Sequence, residues 1–436
     1  MSTITSRPAG HAAASAEPVA DVVGPLVHSL LGPAPSLRVQ FWDGSGIGPS
    51  DGAGTLHVRS TDALRRILWS PNELGLARAY VAGDLDVDGD LYEVLAAFRA
   101  TTREDIRFPL SAAPAGARAA RKLGLVGAPL PPPPEEARLK GWRHSLRRDA
   151  DAIGHHYDVG NDFYRLVLGP SMTYSCARFT EPDMDLADAQ AAKHELICRK
   201  LGLDDHPGGR LLDVGCGWGS MAIHAATHHD VSVVGITISE PQAALARERV
   251  AAAGVADRVE IRLQDYRQLG DERFDAISSI GMSEHVGEKM LARYFEILHT
   301  ALVPQGRLVN HAISSTGGSK IGRTSFIARY VFPDGELVDV GDSVLAMERA
   351  GFEVRDVESL REHYALTLRA WVSNLEANWD EAVRDVGVAR ARVWRLYMSG
   401  CVLGFTDGGV AVHQVLGVVP TSSGASGMPP TRHDWG

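Results

Sequence analysis

The chain has 436 residues, which exceeds one average domain and suits two. Its formal net charge of −10 argues against a dedicated nucleic-acid binder, because phosphate binding needs a local excess of Lys and Arg. Four widely spaced cysteines without a Cys-x-x-Cys pair predict neither a disulfide framework nor a metal site such as zinc, and they favour a reducing cytoplasm. No apolar run approaches the ~18 residues of a transmembrane helix.

The first third of the chain predicts a tail, a small domain and a linker. Residues 1–20 are rich in Ala, Pro and Ser and are expected to be disordered. Residues 21–110 predict a small α+β domain that associates with lipid or membrane. Its predicted strands and helices lie at 37–42, 54–58, 62–68 and 91–98. Residues 111–148 are rich in Ala and Pro with basic flanks, which favours an extended linker. Contact with anionic lipid headgroups is the second interpretation.

The remainder of the chain predicts a doubly wound, mostly parallel α/β sheet. Strand and helix patterns alternate over residues 149–420. The β-rich runs lie at 210–214, 231–237, 259–263, 274–280 and 307–313. Two later runs, 352–357 and 409–419, predict additional edge strands. Residues 421–436 are rich in Ser, Gly and Pro and are expected to form a second disordered tail.

A glycine-rich loop is the most informative local motif. The sequence LLDVGCGWG runs from a strand into Gly215, Gly217 and Gly219, where the lack of side chains lets a ligand approach the backbone. Asp213 two residues before the first glycine gives the acidic form typical of class I methyltransferases, so the motif favours S-adenosylmethionine. A dinucleotide loop and a tight turn without a ligand are the alternatives.

Two further strand ends suit the same ligand. Asp265 and Tyr266 follow the run at 259–263 and offer a polar and an aromatic group to an adenine ring. Thr237 and Gln242 follow the run at 231–237 and could hold ribose hydroxyls with neutral groups. The same stretch also fits a helix cap, and the two interpretations are compatible.

Several ordered motifs extend over residues 150–420. They are HYDVGNDFY at 156–164, MTYSCARF at 172–179, the glycine loop, SEHVG at 283–287, NHAI at 310–313, and HYA at 363–365 followed by TL at 367–368. Together they resemble the cyclopropane-fatty-acyl-phospholipid synthases, a family that includes the mycolic acid cyclopropane synthases. The resemblance implies a Rossmann-like class I methyltransferase fold. It also implies methylene transfer from S-adenosylmethionine to the cis double bond of a phospholipid acyl chain.

The resemblance also implies how ring closure would occur. Methyl transfer to an alkene leaves a carbocation, which aromatic faces stabilise, and the family places such rings at Tyr157 and Phe332. A bound bicarbonate then removes a proton. The family's ligands for this anion correspond to the residues Cys176, Glu284, His311, Tyr364 and the backbone of Ile313. Glu284 would accept the bicarbonate proton or orient His311.

By the same resemblance, a set of residues surrounds the cofactor: Tyr174, Ser175, Asp213, Gly215, Cys216, Gly217, Gly219, Thr237, Gln242, Asp265 and Tyr266. Tyr266 stands where mycolic-type members commonly have Trp, and it keeps an aromatic face. Cys401 falls at a position sometimes nominated as the family's active-site cysteine, although this mechanism needs no thiolate.

The sequence leaves several functional alternatives open. The family implies a cytoplasmic enzyme at the inner membrane face, with unsaturated phospholipid acyl chains as substrate and a homodimeric assembly. The nearest alternative product is a methyl or methylene branch, completed by a reductase partner. An NAD(P)-dependent oxidoreductase and a lipid-binding protein without catalysis are alternatives of other classes. Retention of Glu284 and His311 favours ring closure.

Overall fold

The chain divides into two units, residues 1–131 and 132–436. A computed structural model describes residues 17–32, 35–102, 113–137, 159–322, 324–333 and 335–435. Among these residues, no helix has both the length and the apolar character needed to cross a membrane.

The N-terminal unit contains a small four-stranded sheet. Its strands are β1 (Arg38–Phe41), β2 (Gly46–Ile47), β3 (Thr55–Val58) and β4 (Leu85–Asp88), in the order β2-β1-β3-β4. Strands β1 and β3 are parallel, and the other pairs are antiparallel. Helices of this unit span Val19–Leu31, Thr61–Trp69, Glu73–Val81, Leu91–Thr102 and Ala113–Lys122. Two of them begin at polar N-caps, Ser60 and Asn72.

Two features of this unit differ from the sequence prediction. The first helix begins at Val19, inside the predicted tail. The predicted linker contains the helix Ala113–Lys122, whose alanine-rich composition favours helix and whose residues Gly116 and Ala119 are buried. The unit also encloses an apolar cavity of about 350 Å³, lined by side chains of its sheet and helices that include Leu26, Phe41, Leu56 and Phe98.

The C-terminal unit is built on an eight-stranded mixed sheet. Its strands are β5 (Gly209–Val214), β6 (Val231–Thr237), β7 (Val259–Leu263), β8 (Phe274–Ile280), β9 (Leu302–Ser315), β10 (Val338–Asp339), β11 (Glu353–Ser359) and β12 (Val410–Val418). The order is β11-β12-β9-β8-β5-β6-β7, with β10 beside β9. Strands β5 to β9 are mutually parallel, whereas β12 runs antiparallel to β9 and β11.

The prediction of two added edge strands was wrong for one of them. The run at 409–419 forms β12, which is inserted between β9 and β11 and is therefore an interior strand. Its burial explains the position, because Val412, Val415 and Leu416 are each at most 1% exposed. Of the two runs, only the first, which forms β11, lies at an edge of the sheet.

Helices cover both faces of this sheet. They span Asn161–Leu168, Leu186–Leu201, Ser220–His228, Glu240–Ala252, Ser283–Val286, Leu291–Ala301, Phe326–Tyr330, Val340–Arg349, Arg361–Ala377, Trp379–Val386 and Val388–Thr406. Successive residues of a strand point to opposite faces, so Leu211 joins one apolar core and Leu212 joins the other. The sheet is therefore buried on both sides and presents its strand ends to ligands.

The C-terminal segment also differs from the sequence prediction. Residues 421–435 follow β12, and they contain a short 3-10 turn, Arg432–Asp434. The Trp435 side chain is 4% exposed and belongs to one of the two apolar cores. The Arg432 guanidinium lies 2.8 Å from the Asp356 carboxylate. These contacts order a segment whose composition alone predicts disorder.

Candidate active site

A cavity of about 170 Å³ lies at the carboxyl ends of β5, β6 and β7. This is the edge at which open α/β sheets bind ligands. All but one of the predicted cofactor residues line it: Tyr174, Ser175, Asp213, Gly215, Cys216, Gly217, Thr237, Gln242, Asp265 and Tyr266. Gly219 instead begins the helix Ser220–His228, and a Cβ there would lie 3.4 Å from the Ala246 Cβ.

The glycine loop is fixed on one side and open on the other. The backbone amides of Gly215 and Cys216 both donate to the Ile236 carbonyl at 2.9 Å. A Cβ at Gly215 would lie 2.3 Å from the Met282 sulfur. At Gly217 the backbone has φ of 54°, and a Cβ would meet no atom of the described residues within 4 Å. A side chain at Gly217 would therefore project into open space beside the loop.

Two buried ionisable side chains, Lys193 and Asp213, line the cavity. The Lys193 side chain is fully buried, and its Nζ donates to Ser175 Oγ at 2.9 Å. Burial lowers the pKa of Lys193 to about 7. Asp213 accepts a hydrogen bond from Ser278 Oγ at 2.8 Å through Oδ1, while its buried Oδ2 has no partner among the described residues. Burial raises the pKa of Asp213 to about 6, so a partner of opposite charge would favour the ionised form of each group.

Sequence reasoning missed Lys193 as a cavity residue. It lies on the helix Leu186–Leu201, outside every motif that carries the resemblance, and lysines on amphipathic helices usually reach solvent. The one local signal is Gln190, three residues earlier on the same face. Gln190 is also fully buried and donates to the Ser175 carbonyl at 2.8 Å.

Another part of the cavity is formed by polar side chains that bind one another. Thr237 Oγ1 donates to Gln242 Oε1 at 3.0 Å, and Ser239 caps the following helix by accepting from the Gln242 amide at 3.4 Å. Both Asp265 oxygens bind the Arg267 guanidinium, at 2.8 and 2.6 Å. The Arg267 guanidinium also lies 5.5 Å from the centre of the Tyr266 ring.

An aromatic cluster adjoins the cavity at Tyr174. The Tyr174 ring stacks on Trp371 with centroids 5.1 Å apart, and its hydroxyl lies 3.3 Å from that of Tyr397. Phe332 reaches the same cluster, with its ring 5.9 Å from Tyr397 and 6.1 Å from His285, which lines the cavity. The second predicted aromatic residue, Tyr157, lies outside the described residues.

Two buried polar atoms lie near the ends of β8 and β9. Glu284 Oε1 accepts a hydrogen bond from the Ile313 amide at 2.7 Å, and burial raises the pKa of this carboxyl group to about 7. The Nδ1 atom of His311 lies 3.2 Å from Gln414 Nε2, and burial holds the pKa of His311 well below its ordinary value. In the described part of the chain, Glu284 Oε2 and His311 Nε2 have no hydrogen-bond partner.

The structure does not support one of the two predicted roles of Glu284, the orientation of His311. Within the described residues these side chains are not bonded to each other, and Gln414 holds His311 instead. Donation from the Gln414 amide to Nδ1 leaves the proton of neutral His311 on Nε2, which makes that atom a hydrogen-bond donor. Gln414 is thus a further residue that sequence reasoning missed.

The remaining predicted residues are neutral, mostly buried groups. Cys176 is buried with its sulfur 3.2 Å from the Ala177 carbonyl oxygen, and burial raises the pKa of its thiol. Tyr364 packs with its ring centre 4.5 Å from that of Phe405. Burial raises the pKa of Cys401 to about 12, so its thiol is protonated and unsuited to thiolate attack.

Comparison with known proteins agrees with this geometry. The family model for mycolic acid cyclopropane synthetase matches residues 144–415. The chain is 42% identical to a "probable fatty acid methyltransferase" of Mycobacterium tuberculosis over 406 residues, which cover 90% of this chain and 93% of that protein. It is 39% identical to the cyclopropane-fatty-acyl-phospholipid synthase of Escherichia coli K12 over 261 residues, or 60% of this chain and 66% of that one.

A solved structure extends the comparison to the ligand. It is a mycolic acid cyclopropane synthase complexed with S-adenosylhomocysteine and CTAB. It has a TM-score of 0.57 and 35% sequence identity, covering 61% of this chain and 97% of that one. The class I methyltransferase fold and the family expected from the motifs are both confirmed. The chain therefore belongs to the mycolic acid cyclopropane synthetase family and is an S-adenosylmethionine-dependent methyltransferase.

Proposed function

We propose that this enzyme transfers a methylene unit from S-adenosylmethionine to the cis double bond of an unsaturated phospholipid acyl chain, forming a cyclopropane ring. The observation that carries the proposal is the pair of buried atoms Glu284 Oε2 and His311 Nε2, which lack partners among the described residues. Ring closure requires removal of a proton, and buried polar groups without partners are costly unless a ligand satisfies them.

The residues that line the cavity support one orientation for the proposed cofactor. S-adenosylmethionine supplies an electrophilic methyl group on a sulfonium ion, and its amino-acid end carries one positive and one negative charge. Lys193 would receive the carboxylate together with Ser175, and Asp213 Oδ2 would accept from the ammonium group. The nucleoside would then extend towards Thr237 and Asp265, and Gly217 would leave space for it.

The protein's contribution to methyl transfer is alignment and exclusion of water. An alkene is a weak nucleophile, so holding it against the methyl group is the main help available. The resulting carbocation would be stabilised by aromatic faces, at about 1–2 kcal/mol each where water is excluded. Phe332 and the cluster around Tyr174 supply such faces beside the cavity.

The residues predicted to hold bicarbonate fit a small anion that carries one hydroxyl group. His311 Nε2–H is a donor and Glu284 Oε2 is an acceptor. The family resemblance assigns both to the same bicarbonate, of which they would bind an oxygen and the hydroxyl. Bicarbonate, when bound, would supply the base. The Cys176 thiol and the Tyr364 hydroxyl would complete the set as neutral donors, and Glu284 would take up the released proton.

A methyl- or methylene-branched product is the second candidate. The Mycobacterium tuberculosis relative, with which the similarity extends over 93% of its length, is named a fatty acid methyltransferase. The first step would be the same. Loss of a proton from a neighbouring chain carbon would leave a methyl-branched internal alkene. A 1,2-hydride shift to the cationic carbon, followed by loss of a proton from the new methyl group, would instead leave an exomethylene branch, and a reductase partner would saturate either alkene.

The test is incubation of the purified enzyme with dioleoyl phosphatidylglycerol vesicles and S-adenosylmethionine labelled in its methyl group. We expect proton and carbon NMR of the extracted lipid to show a labelled cyclopropane CH₂. A labelled exomethylene or methyl branch would instead establish the second candidate. No transfer of label to any unsaturated lipid, despite cofactor binding, would contradict both.

A further inference from the structure

A cluster of metal-ligating side chains lies outside the cofactor cavity, between two packed helices. Cys198 lies on Leu186–Leu201, and His224 lies on Ser220–His228 with His229 immediately after it. One sulfur and one ring nitrogen from each histidine lie within 4.8 Å of one another. Cys198 and His229 are buried, and His224 is partly exposed, so an ion could enter from solvent.

Glu195 approaches the same point. It precedes Cys198 by three residues and therefore lies on the same side of its helix. Its Oε2 atom is 3.3 Å from Nε2 of His224 and 3.3 Å from Nε2 of His229. A charge-assisted hydrogen bond is usually shorter, about 2.7–2.9 Å. Two ligands each about 2.0 Å from a tetrahedral zinc ion are separated by about 3.3 Å, which matches both contacts.

The opposite ring nitrogen of His229 has a separate partner. Its Nδ1 lies 2.7 Å from the Asp204 carboxylate, which turns Nε2 towards Glu195. With a metal, Nδ1–H donates to Asp204 and the Nε2 lone pair is a ligand, which is the usual carboxylate–histidine–zinc arrangement.

We propose that Cys198, His224 and His229 bind a zinc ion, with Glu195 as the fourth ligand and Asp204 orienting His229. One thiolate, two imidazoles and one carboxylate form a donor set that suits Zn²⁺, and four protein ligands indicate a structural site. The ion would join two helices that also contribute Lys193 and Met221 to the cofactor cavity. The ligands are spread over 35 residues without a Cys-x-x-Cys pair, which is why the sequence predicts no zinc site.

The test is the metal content of the full-length protein, prepared without a histidine tag from zinc-supplemented cells and desalted. We expect about one zinc ion per chain by inductively coupled plasma mass spectrometry. Cys198→Ser and His229→Gln should each lose it, while the matched variants Cys401→Ser and His299→Gln should retain it. Zinc absent from the wild type, or unchanged in Cys198→Ser and His229→Gln, would overturn the proposal.

Two measurements keep the test decisive if a ligand variant folds poorly. Cobalt added to the wild-type apoprotein should give a thiolate-to-cobalt charge-transfer band, and absence of the band would contradict Cys198 as a ligand. Asp204→Asn, which removes no ligand, should weaken zinc binding roughly 10–100-fold. Unchanged affinity in this variant would contradict the orientation of His229 by Asp204.

Discussion

Two regions at the edge of the large sheet differ in whether their polar side chains have hydrogen-bond partners. At the ends of β6 and β7, the side chains bind one another, as in Thr237 with Gln242 and Asp265 with Arg267. Near the ends of β8 and β9, Glu284 Oε2 and His311 Nε2 are buried without partners among the described residues. Under the proposed function the two regions have different roles: the first would bind the cofactor, and the second would take part in proton transfer.

Removing the proposed proton acceptor, Glu284, should have the largest effect on turnover. Glu284→Gln keeps the size of the side chain but cannot take up a proton. We expect turnover to fall at least about 100-fold with S-adenosylmethionine affinity nearly unchanged, and His311→Ala should behave similarly. Single-turnover assays and calorimetry separate these quantities. Glu288→Gln, a change at a neighbouring exposed carboxylate, is the control, and wild-type turnover in Glu284→Gln would remove the proposed proton acceptor.

A side chain added at the glycine loop should weaken cofactor binding more than it slows methyl transfer. Gly217→Leu places a side chain in the open space beside the loop and should weaken cofactor binding roughly 10–100-fold. Gly254→Leu is the matched control. Gly254 has a similar positive φ of 70°, and its Cβ would also meet no described atom within 4 Å, but it lies away from the cavity. Equal affinity losses in both variants would point to backbone strain rather than to occupied ligand space.

Removal of the buried Lys193 cation should have a smaller effect, on cofactor affinity. Lys193→Met removes the cation proposed to hold the cofactor carboxylate, and we expect affinity to fall about tenfold. Lys200→Met is the comparison, since Lys200 is also buried on the same helix but pairs with Asp356 at 3.2 Å. It should lower thermal stability and leave cofactor affinity unchanged. If Lys193→Met lowered thermal stability and left cofactor affinity unchanged, Lys193 would only stabilise the fold.

The smallest expected effect is the change of turnover with pH. Burial raises the pKa of Glu284 to about 7, and only the ionised carboxylate can accept a proton. Turnover should therefore increase as the pH rises through about 7, and it should level off above that value. The increase should be absent from the residual activity of Glu284→Gln. A wild-type profile that is flat across this range would indicate that Glu284 is not the titrating acceptor.

Much of this arrangement could be predicted from local patterns. Strand β6 was expected at 231–237 and is found there, because an apolar run between turns is a local signal. The interior position of β12 could not be predicted, since it depends on pairing with β9 across about a hundred residues. The contact of Gln414 with His311 arises from the same pairing, and no spacing rule connects the two.

Lysine burial shows a second limit of sequence reasoning. A pattern of residue types indicates that Leu186–Leu201 is a helix, but not that Lys193 points inwards. The inward direction depends on the sheet beneath and on Ser175, eighteen residues away. Groups that gain their role from tertiary contacts, such as Lys193 and the Cys198 cluster, therefore become visible only in three dimensions.

The buried indole of Trp435 has a practical consequence for handling this protein. Truncation or replacement within this segment would remove a side chain that is 4% exposed and packed among core residues. Loss of the indole would expose apolar surface of that core, and loss of Arg432 would remove its ion pair with Asp356. Engineered variants should therefore keep residues 432–435 unchanged, so that Trp435 stays packed on the core.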